Sequence, residues 1–403
     1  MRKKLLALTL IALLLLPGGS AEPSEPVDGT LRVYLLSLGN IASIDFTLDG
    51  VYTVNGSSGF RLDKGTTFTL ALVNGSIYLL SGGLTIQMGE SFQLTRAQTE
   101  EGAANGAYLS KTERDTLYCG DFIIRAGANG LEITLIIDIE DYLYGVVPYE
   151  MSDSFPLEAL KAQAVASYTY YSYRREQNAA NPDPALQGAD FSGNMPQTFP
   201  AIYSPEGLRE RWGDKFDTYY QKLAAAVDEV MGRRLLYDGH LIFAAYHAIN
   251  SGTTETAEVV WGKDYPYLQS VPSPGDKLSP DYQSNAAFTA EEFSAKLTAA
   301  IAGLTLEGDA AAWMAGEPAC SPAGTVTALT VGGQTLTGRQ IREALGLRSA
   351  CFTAAFADGT FTFSVQGYGH GSGMSQYGAD YMARQGFKWD EILSHYYTGV
   401  TIA

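Results

Sequence analysis

Cysteine and histidine are scarce in this chain, which has three cysteines and four histidines among 403 residues. The histidines form no HExxH or other short-range ligand pair, and the cysteines lie far from them in sequence. We therefore predict neither a metal site nor any other cofactor. In an exported protein Cys320 could pair with Cys351 and leave Cys119 free. Three buried thiols are the alternative.

Basic residues are also few, because 27 Lys and Arg stand against 44 Asp and Glu, for a net charge of -17. Such a chain repels polyphosphate, so nucleic acid is excluded as a partner. The hydrophobic content of 46% and the 25 tyrosines predict a globular protein with a large core.

Two common enzyme motifs are incomplete. Ser375 follows Gly373 as in a Gly-x-Ser-x-Gly elbow, but Tyr377 stands where the second glycine belongs, which excludes that class of serine hydrolase. The glycines from Gly367 onward have the wrong spacing for a dinucleotide site, and too little chain follows to complete the βαβ domain.

The N-terminus holds the chain's long hydrophobic run. Lys3 and Lys4 precede residues 5–16, which are apolar except for Thr9, and small residues follow. This pattern predicts a signal peptide over 1–21, a linker over 22–30 and an extracytoplasmic or cell-wall location. The run is short for a membrane span, and an uncleaved membrane anchor is the alternative.

Two regions of different character follow the linker. Residues 31–138 contain short alternating apolar runs between turn signals, which predict a β-rich part arranged as a meander or small barrel-like layer. Residues 139–403 mix helical and strand patterns and predict a catalytic core, so the fold class is α+β. Predicted helices begin near Pro156 and cover 216–231, 290–300, 375–385 and 389–395, and a hairpin turns at Asp238-Gly239.

Glu150 is the candidate for acid–base chemistry. It lies between a strand-like apolar run and the long helix, close to Tyr149, Met151 and Phe155. Apolar neighbours would raise the pKa of this carboxyl group and keep a proton available near neutral pH. The local sequence also allows an ordinary surface glutamate.

Three ordered motifs carry a family resemblance. EDYLYGVVPYEM, PLEALKAQAVASYTYY and GYGHGSGMSQYGADYMARQGFKWDEILSHYYTGV together resemble the stage II sporulation protein D family, which includes an amidase enhancer. The resemblance covers about 31–403, and YHAINSGTTETAEVVWG falls where the family has its histidine-containing turn. It implies a lytic transglycosylase that cuts peptidoglycan glycan strands stripped of stem peptides, with Glu150 as the catalytic acid–base.

The resemblance also implies a glycan-binding cleft in the core. The side chains expected to bind substrate there are Tyr149, Gln163, His247, Tyr267, His370, Ser375, Gln376 and Tyr377. The glycines of the last motif are expected to let backbone approach sugar. Tight packing within the fold is the alternative for these glycines, and a buried hydrogen-bond network is the alternative for Gln163.

The chain departs from the family pattern at several points. Tyr168 replaces an arginine of the family helix, and Asn250-Ser251-Gly252 replaces a Ser-Gly-Gly turn. The loop 188–199 lacks the cysteines and histidine that hold zinc in some members, which again predicts no metal. The alternative function is a non-catalytic, glycan-binding activator of an N-acetylmuramoyl-L-alanine amidase. Peptidoglycan strands, a cell-wall amidase and other wall-lytic proteins of sporulation are the expected partners.

Overall fold

The computed structural model describes residues 13–15, 29–98, 106–110, 117–192 and 205–403 of the chain. They belong to two compact units. The first unit comprises Met1–Ser152 and Arg174–Asp228, and the second comprises Asp153–Tyr173 and Glu229–Ala403. Helices and strands are both abundant, which confirms the predicted α+β class. Most of the predicted signal peptide and part of the loop 188–199 lie outside the described residues.

Strands dominate the first unit. They are β1 (Leu13–Leu15), β2 (Thr30–Tyr34), β3 (Ser43–Leu48), β4 (Val51–Val54), β5 (Ser57–Leu62), β6 (Thr67–Val73), β7 (Ser76–Ser81), β8 (Leu84–Gly89), β9 (Ser91–Gln98), β10 (Gly106–Leu109), β11 (Leu117–Cys119), β12 (Asp121–Gly127), β13 (Gly130–Asp138) and β14 (Phe191–Ser192). One sheet has the order β1-β8-β7-β6-β3-β10-β11, and the other has the order β14-β2-β13-β12-β9-β4-β5.

The two sheets pack face to face around aromatic side chains. Phe46 of one sheet meets Phe122 of the other edge to face, with ring centroids 5.5 Å apart. The predicted strands are therefore confirmed, but the single meander or barrel layer is wrong. Alternation of apolar and polar residues predicts strands from local sequence but not which strands pair. Strands β2 and β13, for example, pair although they lie about a hundred residues apart in sequence.

Four helices belong wholly or in part to this unit. They are α1 (Ile139–Glu150), α2 (Leu157–Ala180), α3 (Pro205–Trp212) and α4 (Phe216–Val230), and the predictions for α2 and α4 are confirmed. The strand-like assignment of the run before Glu150 is wrong, because that run is α1. Glu140 and Asp141 occupy its first turn, where acidic groups favour a helix start, and Pro148 is accommodated near its end.

The second unit combines short strands with helices. Its strands are β15 (Leu235–Tyr237), β16 (His240–Leu241), β17 (Tyr246–His247), β18 (Gln283–Thr289), β19 (Met314–Cys320), β20 (Val326–Val331), β21 (Gln334–Leu336), β22 (Phe352–Ala357), β23 (Thr360–Gln366), β24 (Met374–Ser375) and β25 (Thr401–Ile402). Its further helices are α5 (Ala257–Trp261), α6 (Ala290–Ala300), α7 (Gly338–Leu345), α8 (Gln376–Arg384) and α9 (Trp389–Tyr396). The predictions for α6, α8, α9 and the hairpin at Asp238-Gly239 are confirmed.

Residues 283–366 have a hydrophobic core of their own. Phe293 of α6 stacks on Phe361 of β23 with ring centroids 4.0 Å apart, and Phe363 is buried beside them. Strands β18, β23 and β22 form one three-stranded sheet, and β19, β20 and β21 form another. The segment between α6 and β19, which has no clear sequence pattern, is a loop with a one-turn 3₁₀ helix at Ala310–Ala312.

A short pair of parallel strands brings the histidine-containing turn beside the motif that begins GYGHGSGMSQYGA near the end of the chain. We call this motif the terminal motif. Strand β17 pairs with β24, so that Tyr246 is opposite Met374 and His247 is opposite Ser375. Helix α8 begins directly after β24. Chain segments that are more than a hundred residues apart in sequence thereby meet at the beginning of one helix.

Candidate functional site

Glu150 is the last residue of α1 in the first unit. Its side chain is half-buried, and its Oε1 atom is withdrawn from solvent. Met151 follows as the C-cap, and its amide donates to the carbonyl oxygen of Val147. Tyr149 is half-buried beside Glu150 in sequence. The carboxyl group is therefore held at a helix end and is not an ordinary exposed side chain.

In the second unit, Asp276 is the centre of a buried hydrogen-bond network. Its side chain is 0% exposed. Oδ1 accepts from the amide of Asn250 at 2.8 Å and from Oγ of Ser375 at 2.5 Å. Oδ2 accepts from Oγ of Ser273 at 2.5 Å and from Nδ2 of Asn250 at 3.2 Å. The Ser273 hydroxyl is also 2.6 Å from Oη of Tyr396 in α9.

Ser375 and Gln376 begin helix α8, as the sequence predicts. Oγ of Ser375 accepts from the amide of Gly378 at 3.2 Å and so caps the helix, while it donates to Asp276. Both predicted substrate-binding side chains are buried. Nε2 of Gln376 donates to Oε1 of Gln163 at 3.3 Å, and Nε2 of Gln163 donates to Ser167 at 3.0 Å. Gln163 thus lies in a buried network, the alternative that the helical spacing left open.

His247 and His370 lie close together in the second unit, with ring centroids 5.6 Å apart. His247 is 4% exposed, and its Nδ1 lies 3.1 Å from the carbonyl oxygen of Ser372. Burial, with His370 nearby, lowers the pKa of His247 to about 3. Burial and the positive charge of Arg342 lower the pKa of His370 to about 4. Both imidazoles are therefore neutral at pH 7 and offer hydrogen bonds without charge.

The two predicted tyrosines of this unit have different surroundings. Tyr267 is buried, its Oη accepts from the amide of Phe243 at 3.0 Å, and burial raises its pKa to about 12. Tyr377 is half-buried and meets Phe155 edge to face with ring centroids 5.2 Å apart. Tyr377 therefore retains exposed surface, whereas Tyr267 supports the backbone at Phe243.

Several glycines of the terminal motif serve close packing within the fold, which was the alternative to their letting backbone approach sugar. A Cβ atom on Gly367 would lie 2.7 Å from the carbonyl oxygen of Ile249, and one on Gly369 would lie 2.8 Å from Cβ of His247. A Cβ atom on Gly373 would overlap the carbonyl group of Ala245. These contacts are with the protein's own backbone or side chains, so the packing alternative applies to them.

Metal-binding clusters and disulfides are absent from the described residues. No group of three or more His, Cys, Asp and Glu side chains in that part of the chain is placed to hold a metal ion. Among these residues the three cysteines, Cys119, Cys320 and Cys351, form no disulfide, and Cys320 is exposed. No described helix is both long and apolar enough to cross a membrane.

Comparison with known proteins identifies the family. A sequence profile described as stage II sporulation protein matches residues 128–237, which include Glu150 and all of α2. Stage II sporulation protein D of Bacillus subtilis (strain 168) is 40% identical over 268 residues, which cover 66% of this chain and 75% of that protein. The chain belongs to the stage II sporulation protein D family.

Two further relatives agree with this assignment. The stage II sporulation protein D of Bacillus amyloliquefaciens is 39% identical over 66% of this chain and 74% of its own length. The amidase enhancer of Bacillus subtilis (strain 168) is 28% identical over 64% of this chain and 40% of its own length. The resemblance inferred from the three sequence motifs is therefore confirmed.

For this member of the stage II sporulation protein D family, sequence reasoning missed two features of the second unit. The first is Asp276, whose only local signal is its position after Ser273-Pro274-Gly275. The second is a group of half-exposed aromatic rings around Phe243. Several rings in the dense run of tyrosines in α2 also retain exposed surface.

Proposed function

We propose that this protein is a peptidoglycan lytic transglycosylase with Glu150 as its single catalytic acid–base. The observation that carries the proposal is the position of Glu150 at the C-terminal end of α1 with one carboxyl oxygen withdrawn from solvent. The C-terminal end of a helix carries partial negative charge, which favours the protonated form of a carboxyl group there. A general acid needs that form.

The reaction requires one carboxyl group in two successive roles. Glu150 first donates its proton to the glycosidic oxygen between N-acetylmuramic acid and N-acetylglucosamine, and that bond breaks. The resulting carboxylate then accepts the proton of the muramic acid C6 hydroxyl while O6 bonds to C1. The products are a free N-acetylglucosamine hydroxyl and a 1,6-anhydro end, and Glu150 is protonated again. Two-carboxylate glycosidases differ in that water is the final nucleophile.

The second unit has polar and aromatic side chains of the kind that bind sugars. His370 and Tyr377 retain exposed surface and can contact sugar, whereas the other five predicted side chains of this unit are buried: Gln163, His247, Tyr267, Ser375 and Gln376. Because the His370 imidazole is neutral at pH 7, it can hydrogen-bond to hydroxyl or acetamido groups without adding charge. The uncharged hydroxyl and acetamido groups of a glycan are the ligand groups that such an imidazole suits.

The test uses glycan strands that an amidase has already freed of stem peptides. Mass spectrometry should find 1,6-anhydro-muramic ends with the native protein and none with Glu150→Gln, because glutamine cannot donate or accept the proton. Glu140→Gln is the matched control, since Glu140 lies at the other end of the same helix and is exposed. Equal cleavage by the native protein and Glu150→Gln would refute the assignment of the acid–base.

The second candidate is a glycan-binding activator of a cell-wall amidase without lytic activity of its own. The similarity to a protein named amidase enhancer favours it, as does Tyr168 at the position of the family arginine. It predicts no anhydro ends with the native protein, unchanged glycan binding by Glu150→Gln, and faster peptide release when an N-acetylmuramoyl-L-alanine amidase is present.

A further inference from the structure

An aromatic cluster in the second unit has more exposed surface than a core needs. Phe243 is its centre, and its ring centroid lies 5.7 Å from that of Tyr170, 5.8 Å from that of Tyr173, 5.2 Å from that of Trp261 and 5.6 Å from that of Tyr265. All five side chains are half-buried. We call these five residues the aromatic platform.

The core of residues 283–366 provides the contrast. There, Phe293, Phe361 and Phe363 pack with 1% exposure or less. Rings that only stabilise a fold are normally enclosed in this way, because exposing an aromatic face forfeits the free energy of its burial. The partial exposure of five neighbouring rings therefore suits a surface that a ligand covers.

The backbone holds Phe243 firmly in its outward position. Ile242 and Ala244 on either side are fully buried, so the side chain between them points away from the core. The Phe243 amide donates to Oη of Tyr267 at 3.0 Å. The carbonyl oxygen of Ala245 accepts from Oη of Tyr397 at 2.9 Å. A surface fixed in this way loses little conformational entropy when it binds a ligand.

The aromatic platform continues into the terminal motif. The ring centroids of Trp261 and His370 are 4.9 Å apart. The successive steps from Tyr173 to Phe243, Trp261 and His370 measure 4.9–5.8 Å, which is comparable with the length of one β-1,4-linked sugar. Neighbouring rings are tilted by 32–74°, so the surface presents a series of facets and not one flat plane.

A cation lies at one edge of this surface. Nζ of Lys263 is 4.7 Å from the centroid of the Tyr265 ring, and Lys263 is exposed. An ammonium group over a ring face is held there by the ring quadrupole. A glycan strand without stem peptides still has a lactyl carboxylate on each muramic acid, and this cation complements such a group.

We propose that the aromatic platform is a glycan-binding surface on which successive sugars of a stem-peptide-free strand stack, with Lys263 meeting a lactyl carboxylate. The substrate class in this inference rests on the proposed function. The C–H groups of a pyranose face pack on aromatic rings as other apolar groups do, while its hydroxyls stay hydrated. The contacts are independent of the chemistry at Glu150.

The experiment measures binding with the full-length chain carrying Glu150→Gln, so that no probe is cleaved. The probes are amidase-stripped glycan strands and chitotetraose, which has the acetamido sugars but no carboxylate. Trp261→Leu and Tyr265→Leu remove one ring each and keep apolar volume. We expect each to raise the Kd for both probes about tenfold. Lys263→Gln should raise the Kd for the stripped strands alone.

Tyr219→Leu is the matched control, because Tyr219 is half-buried and Nζ of Lys215 lies 5.9 Å from its ring centroid. Tyr219 belongs to α4. The Tyr219→Leu variant should therefore bind both probes as the parent protein does. Circular dichroism establishes that each variant is folded. Unchanged affinity of Trp261→Leu and Tyr265→Leu for both probes would overturn the aromatic platform as a glycan surface. An equal effect of Lys263→Gln on both probes would overturn the carboxylate contact.

Cleavage measured with Glu150 intact separates this inference from the proposed function. If the native protein makes no anhydro ends but platform variants lose glycan affinity, the lytic function fails and the binding surface stands. If platform variants keep glycan affinity but lose amidase stimulation, the surface binds a protein and the present inference fails.

Discussion

Replacement of Asp276 by alanine should destabilise the second unit strongly, and the hydrogen bonds allow the size to be worked out. Two of the four donors to the carboxylate have a second acceptor within reach. Ser375 Oγ lies 3.2 Å from the carbonyl oxygen of Ala248, and Ser273 Oγ lies 2.6 Å from Oη of Tyr396. The amide and the Nδ2 group of Asn250 would remain buried without an acceptor. At about 1–3 kcal/mol for each unsatisfied group, the loss is about 2–6 kcal/mol.

Urea unfolding followed by circular dichroism measures this loss as the change in the free energy of unfolding. Asp281→Ala, five residues further along the chain, is the control. Its carboxylate is 52% exposed and pairs with Arg348 at 3.0 Å, so its removal should cost less than about 1 kcal/mol. A loss below about 1 kcal/mol for Asp276→Ala would refute the view that this carboxylate holds the turn, α8 and α9 together.

The same carboxylate should make stability depend on pH. Burial raises the pKa of Asp276 to about 6 from an ordinary value of 3.8, although hydrogen bonds from Ser273, Ser375 and Asn250 lower it. Between these values the folded state binds more protons than the unfolded state, so stability falls as the pH rises from about 4 to 6. A shift of this size corresponds to at most about 3 kcal/mol. Asp276→Asn should flatten this part of the profile, and an unchanged slope would contradict the assignment.

Two further predictions concern packing. Gly378→Ala should lower the free energy of unfolding by about 1–3 kcal/mol, because its Cβ would overlap the hydroxyls of Tyr396 and Ser273. Replacing an exposed glycine in a helix by alanine normally raises the free energy of unfolding. If urea unfolding shows such a rise for Gly378→Ala, the result contradicts this packing. Phe361→Ala should cost about 3–5 kcal/mol, since its buried ring stacks on Phe293 at 4.0 Å. Unfolding followed by fluorescence measures this loss, and Phe387→Ala is the exposed control. If Phe361→Ala lowers the free energy of unfolding no more than the control does, residues 283–366 do not depend on this core.

Local sequence was sufficient to predict those secondary-structure elements for which one short-range signal dominated. Helix α8 begins after Ser375, a good capping residue, and the hairpin at Asp238-Gly239 uses residues that accept a positive φ. Helix α1 was missed because Val146, Val147 and Pro148 favour extended structure, whereas the acidic first turn and burial of its apolar face favour the helix.

The buried hydrogen-bond network around Asp276 could not be predicted from local sequence, for another reason. Asn250, Ser273, Asp276 and Ser375 are separated by up to about 125 residues, and each is an ordinary polar residue by itself. Their hydrogen bonds arise only after β17 has paired with β24. The family resemblance pointed to Ser375, Gln376 and His247, but it could not separate groups that contact ligand from groups that hold them in place.

The charge of the chain bears on which glycan the second unit suits. The net charge is -17, and neither His247 nor His370 adds a positive charge at pH 7. Stem peptides carry carboxylates, so an intact peptidoglycan strand brings many negative charges toward an acidic protein, whereas a stripped strand keeps only its lactyl groups. In the proposed binding surface, the neutral imidazoles, the aromatic rings and the cation of Lys263 are the groups that would meet the stripped strand. The proposed function therefore predicts that the protein prefers a substrate which an amidase has already processed, and that it acts after peptide removal.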